Sequence, residues 1–359
     1  MMLLPALLVY AGKLFGMGER ERDILKGVRE RVVHASGAGL RVGIGDDAAV
    51  LAVRPGEELV VTTDFSLEDV HFRRGWHPPE AVGHKCLARG LSDIAAMGAR
   101  PVAVFLSLAA PAELTRESES GAGVGAWLDR FYSGLLLLAE RWQVPLAGGD
   151  LAQSPGGRHA RVAADIIVLG AVERGRALLR SGAKPGDALY VTGSLGGAAA
   201  ELRSLTRSPA RYRGLIINTA SGGAADHPHF FPQPRVEVGR TLVRRRIATA
   251  AIDISDGLSV DLQHLCDESK LRAEVDAALL PVASGATLPR VTLNDALHGG
   301  DDYELLFTAD ASTRVPRSIA GVPVRRIGRM LRRKSGAPQM TLVQDGRRTE
   351  LKPGGWQHF

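Results

Sequence analysis

Short apolar runs rich in β-branched residues alternate along this chain with longer segments of helical period, and glycine or proline punctuates most junctions. Residues 42–53 read as a strand with a tight Gly45-Asp46-Asp47 turn inside it. Residues 59–63 (Leu-Val-Val-Thr-Thr) form a strand that ends at Asp64. Pro78-Pro79-Glu80 opens a helix, because proline suits a first turn, and that helix stops at Gly98. Strand 101–109, helix 125–141, strand 144–147 ending at Gly148-Gly149-Asp150, and a long apolar strand over 161–172 follow.

Residues 174–186 break the pattern with Arg180, Ser181, Gly182, Lys184, Pro185 and Gly186, which places a domain boundary there. Beyond it come strand 187–192, a glycine-rich loop at 193–197 and a helix. Residues 204–234, rich in Gly, Pro, Ser and His, read as a surface insertion. Helix 236–246, strand 250–253, helix 258–268 and strands 272–275, 303–308 and 322–327 complete the second half. The expected class is α/β (α+β) in two domains, with an N-terminal mixed sheet with helices over 17–173 and a C-terminal α/β domain over 174–359.

Composition narrows the options. The 359 residues can build two cores, and 23% charged with 45% hydrophobic residues is ordinary for a soluble globular protein. The net charge of +6 is spread along the chain, and Arg244-Arg245-Arg246 and Arg332-Arg333-Lys334 read as solvated faces. No zinc-finger spacing or aromatic RNA-binding signature is present, so no nucleic-acid partner is expected. Cys86 and Cys266, both in apolar surroundings, read as buried thiols in a reducing, cytoplasmic setting. Residues 1–16 are apolar but too short to span a bilayer and lack a basic start; they read as a start-site extension or leader, so no membrane partner is expected.

The chemistry lies in carboxylates set among small residues: Asp46 and Asp47; Asp64 after Thr62 and Thr63; Asp93; Asp150; Asp253 and Asp256; Asp301 and Asp302. Such oxygen donors suit a hard cation such as Mg²⁺, which in turn suits a polyphosphate. Each cluster has a plainer alternative. Gly-Asp-Asp makes an Asx turn, Asp64 and Asp256 can cap backbone groups, and His71 can be an ordinary satisfied histidine. Asp93 shares a helical face with Arg89 and Lys85, so a salt bridge to Arg89 competes with metal binding. Alternation puts Asp253 and Ser255 on one face, and Arg180 and Lys184 are candidate phosphate cations. There is no P-loop, no kinase His-Arg-Asp or Asp-Phe-Gly set, no Gly-x-Ser-x-Gly elbow and no His-Glu-x-x-His, so ATP chemistry requires another scaffold.

Taken in order, the clusters resemble the thiamine-monophosphate kinase family, within the superfamily that includes aminoimidazole ribonucleotide synthetase and selenophosphate synthetase. The matching segments begin at Gly43 (Gly-Ile-Gly-Asp-Asp-Ala-Ala-Val), Thr62 (Thr-Thr-Asp), Val70 (Val-His-Phe) and Leu91 (Leu-Ser-Asp-Ile-Ala-Ala-Met-Gly-Ala-Arg-Pro). They continue at Gly148 (Gly-Gly-Asp), Arg180 (Arg-Ser-Gly-Ala-Lys-Pro-Gly-Asp), Asp253 (Asp-Ile-Ser-Asp-Gly-Leu) and Gly299 (Gly-Gly-Asp-Asp-Tyr-Glu-Leu). Any one of them is weak; their order and spacing are specific.

The resemblance implies a two-domain synthetase-like fold and a homodimer formed through N-terminal strands. It implies ATP-dependent phosphorylation of thiamine monophosphate to thiamine diphosphate by direct in-line transfer, with several Mg²⁺ ions and no covalent nucleophile. By that matching, Asp46, Thr62, Thr63, Asp64, Asp93, Asp150, Asp253 and Asp256 hold metal; Tyr132, Gly149, Asp150, Arg180 and Ser255 contact ATP; and His71, Asp301 and a C-terminal aromatic, Trp356, contact the thiamine substrate. Four positions depart from the usual pattern. Asp69 stands for glycine, Leu151 for threonine, Asp301 for a glutamate one methylene longer, and Pro353 occupies the place that best matches the stacking aromatic. Neither cysteine lies where selenophosphate synthesis needs a reactive one, and the Leu91 and Gly299 segments match the kinase better than aminoimidazole ribonucleotide synthesis.

Overall fold

A computed structural model describes residues 26–32, 39–115, 127–209, 226–285 and 288–357. The leader assigned to 1–16 and the middle of the 204–234 insertion lie outside the described residues. After a short antiparallel pair, β1 (Leu40–Val42) and β2 (Val50–Leu51), which brackets the Gly-Asp-Asp turn, come β3 (Glu57–Leu67), β4 (Arg100–Ala110), β5 (Leu146–Gln153) and β6 (Ala163–Glu173). These four form one sheet in the order β3–β6–β4–β5, with only β4–β5 parallel. The second half supplies β7 (Ala188–Thr192), β8 (Ala250–Ile254), β9 (Leu271–Asp276), β10 (Glu304–Ala309), β11 (Ser318–Ile319), β12 (Val322–Arg332), β13 (Met340–Gln344) and β14 (Arg347–Glu350). They make an eight-stranded sheet ordered β14–β13–β9–β12–β7–β10–β8, with β11 hydrogen-bonded to β12.

Helix α1 (Pro79–Ala96) joins the two halves. Pro79 occupies its first turn, and it is buried nearly all round, as expected of a helix inside a core. It packs on α2 (Trp127–Arg141), β3 and β6 on one side. On the other it meets β8, β10 and α4 (Val236–Arg244). One hydrophobic core therefore crosses the domain boundary: Leu87, Leu91 and Ile94 pack with Ile166 and Val168 from the first sheet and with Leu242, Leu305 and Phe307 from the second half. A separate core lies between the eight-stranded sheet and α5 (Leu258–Ser269). Both cysteines are free and buried, as expected.

Three expectations need correction. Thr62, Thr63 and Asp64 lie inside β3 rather than at its end, because β6 pairs with that strand through Leu67↔Ala163. Gly148-Gly149-Asp150 likewise lies within β5, held in parallel register with β4. The 204–234 segment is not all surface: α3 (Gly197–Arg207) takes its start, and His229, Phe230 and Phe231 at its far end are buried. The aromatic pair fills a small core with Ala81 and Leu205, against which Trp76 packs.

Helices α1 and α2 approach backbone to backbone at two glycines. A Cβ on Gly83 would stand 1.9 Å from the Phe131 carbonyl oxygen, and one on Gly134 would stand 1.9 Å from that of Glu80. Gly134→Val should therefore cost about 2–3 kcal/mol through overpacking. Urea unfolding followed by circular dichroism should show a lower midpoint at unchanged slope.

Candidate active site

One face of α1 carries four polar side chains, Lys85, Arg89, Ser92 and Asp93, at the three- and four-residue spacings of a helical stripe. Each finds its partner off the helix, two of them on β3. Lys85 Nζ lies 2.6 Å from Asp301 Oδ2, and Arg89 Nη2 lies 3.5 Å from Asp64 Oδ1. Ser92 Oγ donates to Asp253 Oδ2 at 2.7 Å, and Thr62 Oγ1 donates to Asp93 Oδ2. The Arg89–Asp93 salt bridge considered from spacing alone gives way to an Arg89–Asp64 contact, because β3 runs alongside the helix.

Three carboxylates from three elements face one another here. Burial raises Asp64 to about 6, the neighbouring Asp93 adds to the rise, and Arg89 opposes it. Burial also raises Asp93, against the pull of Thr62, Arg180 and Arg89. Burial and then Asp93 push Asp253 up to about 7. Asp64 Oδ2 is buried with no hydrogen-bond partner among the described residues. A carboxylate oxygen in that state lacks a cation or a donor.

Asp301 is the opposite case. Burial alone would raise it, but Lys85 and then His229 hold it well below the usual carboxylate range. Tyr303 OH donates to its other oxygen at 3.0 Å. Burial lowers the proton affinity of Lys85, and the short contact to Asp301 opposes that fall. Asp301 at φ 68° and Tyr303 at φ 50° are both left-handed, so the Gly-Gly-Asp-Asp-Tyr turn is bent to aim the carboxylate at α1.

All of the expected site residues except Thr62, Thr63 and Arg180 line one of two cavities. A cavity of about 610 Å³ is lined by Asp64, Asp93, Asp253, Ser255 and Asp256, and also by His71, Asp301 and Trp356. Residues expected on the metal side and residues expected on the substrate side thus share one space of ligand size. Trp356 reaches it with its backbone N–H donating to the Asp256 carbonyl at 3.0 Å, whereas Pro353 does not line this cavity. A second cavity of about 720 Å³ is lined by Asp46, Tyr132, Gly149 and Asp150. The two are linked by register: Asp64, Ile166, Leu106 and Gly149 form one row across the four strands. At about 4.8 Å per strand, that row spans roughly 14 Å.

Other assignments move. Thr63 points to the opposite face of β3 from Thr62 and Asp64, as strand alternation requires, so its side chain is not with the acidic set. Asp256 does not cap the following helix. Asp261 reaches back instead, accepting from the backbone N–H groups of Ser255, Asp256 and Gly257. Arg180 lies on a short 3₁₀ turn, where its charge acts on Asp93 and Asp253. In the 193–197 loop, the Gly196 N–H is given to Asp302 at 2.7 Å. Among the described residues no three acidic, histidine or cysteine side chains stand close enough to form a ready-made metal cage.

Some site residues had no sequence signal. His229 lies in the segment read as a surface insertion, yet its Nδ1 is 3.5 Å from Asp301 Oδ2 and its Nε2 is 3.0 Å from His77 Nε2. Buried Glu201 of α3 pins that segment by accepting from the His229 N–H at 2.9 Å and bonding to His227 Nδ1. The only available hint was the density of histidine and phenylalanine at 227–231, atypical of a solvated loop.

Residues 45–172 match the family described as AIR synthase related protein, N-terminal domain, and residues 184–338 match its C-terminal domain. A thiamine-monophosphate kinase of Escherichia coli (strain K12) is 35% identical over 337 residues, which cover 91% of this chain and 94% of the relative. The crystal structure of a thiamine-monophosphate kinase from Stenotrophomonas maltophilia K279a is similar at TM-score 0.72 and 35% identity, covering 91% of this chain and 96% of that one. AaThiL complexed with AMPPCP and TMP is similar at TM-score 0.67 and 27% identity, covering 94% and 95%.

The raised proton affinity of Asp253 has a consequence for stability. Its folded value of about 7 lies above the unfolded carboxylate value, so the fold binds the proton more tightly and loses stability as pH rises through that range. His77 and His84, each lowered by burial to about 4, and His229, also lowered by burial, act in the opposite sense below their unfolded value. Comparing Asp253→Asn with the parent protein at each pH cancels those histidines. The variant should gain about 2–3 kcal/mol on the parent between pH 5 and pH 8 in metal-free buffer, read by denaturant unfolding.

Proposed function

The chain belongs to the thiamine-monophosphate kinase family of AIR synthase related proteins, and from that premise we propose that it transfers the γ-phosphoryl group of ATP to thiamine monophosphate, giving thiamine diphosphate and ADP. The observation that carries the reading is the shared cavity, in which Asp64, Asp93 and Asp253 face the same space as His71, Asp301 and Trp356.

Transfer between two phosphates asks little covalent work of the protein. The acceptor phosphate, with a second pKa of about 6, is already largely ionised at neutral pH, so no general base need take a proton from it. One of its oxygens forms the new P–O bond while the bond from the γ-phosphorus to the bridging oxygen of ADP breaks. What opposes the reaction is repulsion between two polyanions and their misalignment. The carboxylate set fits Mg²⁺ on the evidence of the partnerless Asp64 oxygen and the mutual repulsion of Asp64, Asp93 and Asp253. When bound, Mg²⁺ supplies charge neutralisation between the phosphates. That ion commonly takes one or two protein carboxylates and completes its shell with substrate phosphates and water.

The chain's own residues divide the remaining work. Asp46, Asp150 and Gly149, beside Tyr132, provide the nucleotide cavity, and the sheet row from Gly149 to Asp64 connects it to the acceptor. Arg180 and Ser255 serve the nucleotide phosphates, with Arg180 already acting on the acidic face. Asp256 completes the metal side with Thr62 beside Asp93; Thr63 contributes only through its backbone. Asp301, fixed as an anion by Lys85, takes the substrate with His71. Residues 17–173 form the metal, ATP and dimerisation domain, and 174–359 complete the site. The homodimer is supported by the outward face of edge strand β3, where Leu59, Val61 and Phe65 are exposed. A cytoplasmic setting agrees with two free, buried thiols and with the finding that, among the described residues, no helix is long and apolar enough to cross a membrane.

Protein incubated with Mg-ATP and thiamine monophosphate should release thiamine diphosphate and ADP in equal amounts, resolved by chromatography; absence of product at high enzyme concentration would sink the assignment. Asp64→Asn should lower kcat by roughly a hundredfold or more while changing the thermal midpoint far less, because relief of a strained buried charge offsets the weakened contact to Arg89. Phe65→Glu should shift the sedimenting species from dimer to monomer; an unchanged dimer would place the interface elsewhere.

A further inference from the structure

The acidic residues share their cavity with an apolar wall. Trp76 and Leu202 line it, and both rest on the buried cluster of Leu205, Phe230 and Phe231. Over the indole, 4.3 Å from its ring centroid, lies the guanidinium of Arg73, which also lines the cavity. The Trp76 N–H donates to the Arg73 carbonyl at 2.9 Å, so the pair is set by a tight turn after β3. A guanidinium is a planar cation, and its seat on the ring is a cation–π contact. The indole therefore offers a cation-accepting face inside the cavity. The two partners differ in mobility: Trp76 is wedged against packed aromatics, whereas Arg73 is an exposed, rotamer-rich side chain.

We propose that Trp76 is the specificity-determining residue for the cationic ring of the substrate: the thiazolium of thiamine monophosphate takes the place over the indole that Arg73 occupies here, and Arg73 swings aside. The inference rests on the assignment of thiamine monophosphate as acceptor and adds the contact that selects its charge. A flat, permanent cation and a guanidinium make the same demand on an aromatic face, and Leu202 and Ala199 supply an apolar flank without competing donors.

The test compares thiamine monophosphate with the isosteric analogue in which the ring nitrogen is replaced by carbon, so that the ring is neutral. The parent protein should bind the charged form roughly tenfold more tightly, by titration calorimetry and by KM. Trp76→Ala should erase that preference and raise KM for thiamine monophosphate, with KM for ATP changed by less than about twofold. Trp76→Phe should keep part of the preference. Trp76→Met retains bulk without a π-face and serves if the alanine variant does not fold; it too should lose the preference. Arg73→Ala should keep it. The proposal is overturned if Trp76→Ala or Trp76→Met retains the charge preference, if KM for ATP rises in parallel, or if Arg73→Ala loses as much as Trp76→Ala. Loss of the preference in Trp356→Ala alone would put the ring on the tail instead. Failure of the parent protein to turn over thiamine monophosphate would remove the functional assignment as well, whereas turnover with an unchanged preference would remove only the ring placement.

Discussion

A single buried helix carrying two cations, a hydroxyl and a carboxylate is the constraint on which the rest of this structure depends. Burying such groups is costly unless each is paired, and the closest partner of each lies off α1. Lys85 requires Asp301 from the second half, Arg89 requires Asp64 from the first sheet, and Ser92 binds Asp253 at the end of β8. The two halves are therefore joined by polar contacts of fixed geometry as well as by a shared apolar core. Apolar packing supplies the larger stabilisation, but it tolerates small slippage. The paired groups do not, and they set the relative placement of the carboxylates.

The same placement leaves the fold under electrostatic load. Burial raises the proton affinity of Asp64, Asp93 and Asp253, Asp93 adds to the rise at the other two, and Arg89, Arg180, Thr62 and Ser92 oppose it. A protein selected for stability alone would replace one of the three. Keeping all three holds ready a concentration of negative charge that becomes favourable when cations and phosphates enter. Asp301 is treated differently: Lys85, Tyr303 and His229 surround it, and Lys85 and then His229 outweigh its burial and hold it as an anion.

Much of this could be read from residues. Periodicity located α1 to within a residue at each end, because proline and glycine bracket it, and the apolar runs located the four strands of the first sheet and five of the eight in the second, missing β11, β13 and β14. Strand ends were misplaced at Asp64 and Asp150, since a strand's length is set by its partner and not by its own β-branched run. The acidic set was legible because carboxylates among small residues are unusual, but Thr63 shows the limit: adjacent oxygens in a strand face opposite ways. His229 and Trp76 were not legible. Their roles come from a segment that loops back onto α3, held by Glu201, and nothing in local sequence encodes a contact between positions so far apart.

Asp69 shows how a departure from the family pattern is accommodated. The residue has φ 71°, a conformation that glycine adopts without penalty and that costs other residues about 1–2 kcal/mol, least for Asp and Asn. Its carboxylate meets Arg161, but both side chains are about half exposed, so that pair returns little of the cost. The turn is held by stronger contacts beside it. Glu68 accepts from Arg74 at 2.6 Å and from the Val162 N–H at 2.9 Å, and His71 Nδ1 accepts from the Leu67 N–H at 2.9 Å. Since Glu68 and His71 fix the backbone on either side, the residue between them is carried into the left-handed region whatever its identity. A glycine there relaxes the turn; an aspartate is tolerated, and places a carboxylate on the wall of the cavity that also contains Trp76 and Asp301. The shape of this part of the cavity wall is thus set by contacts that the neighbours of residue 69 make, and not by the side chain of residue 69 itself.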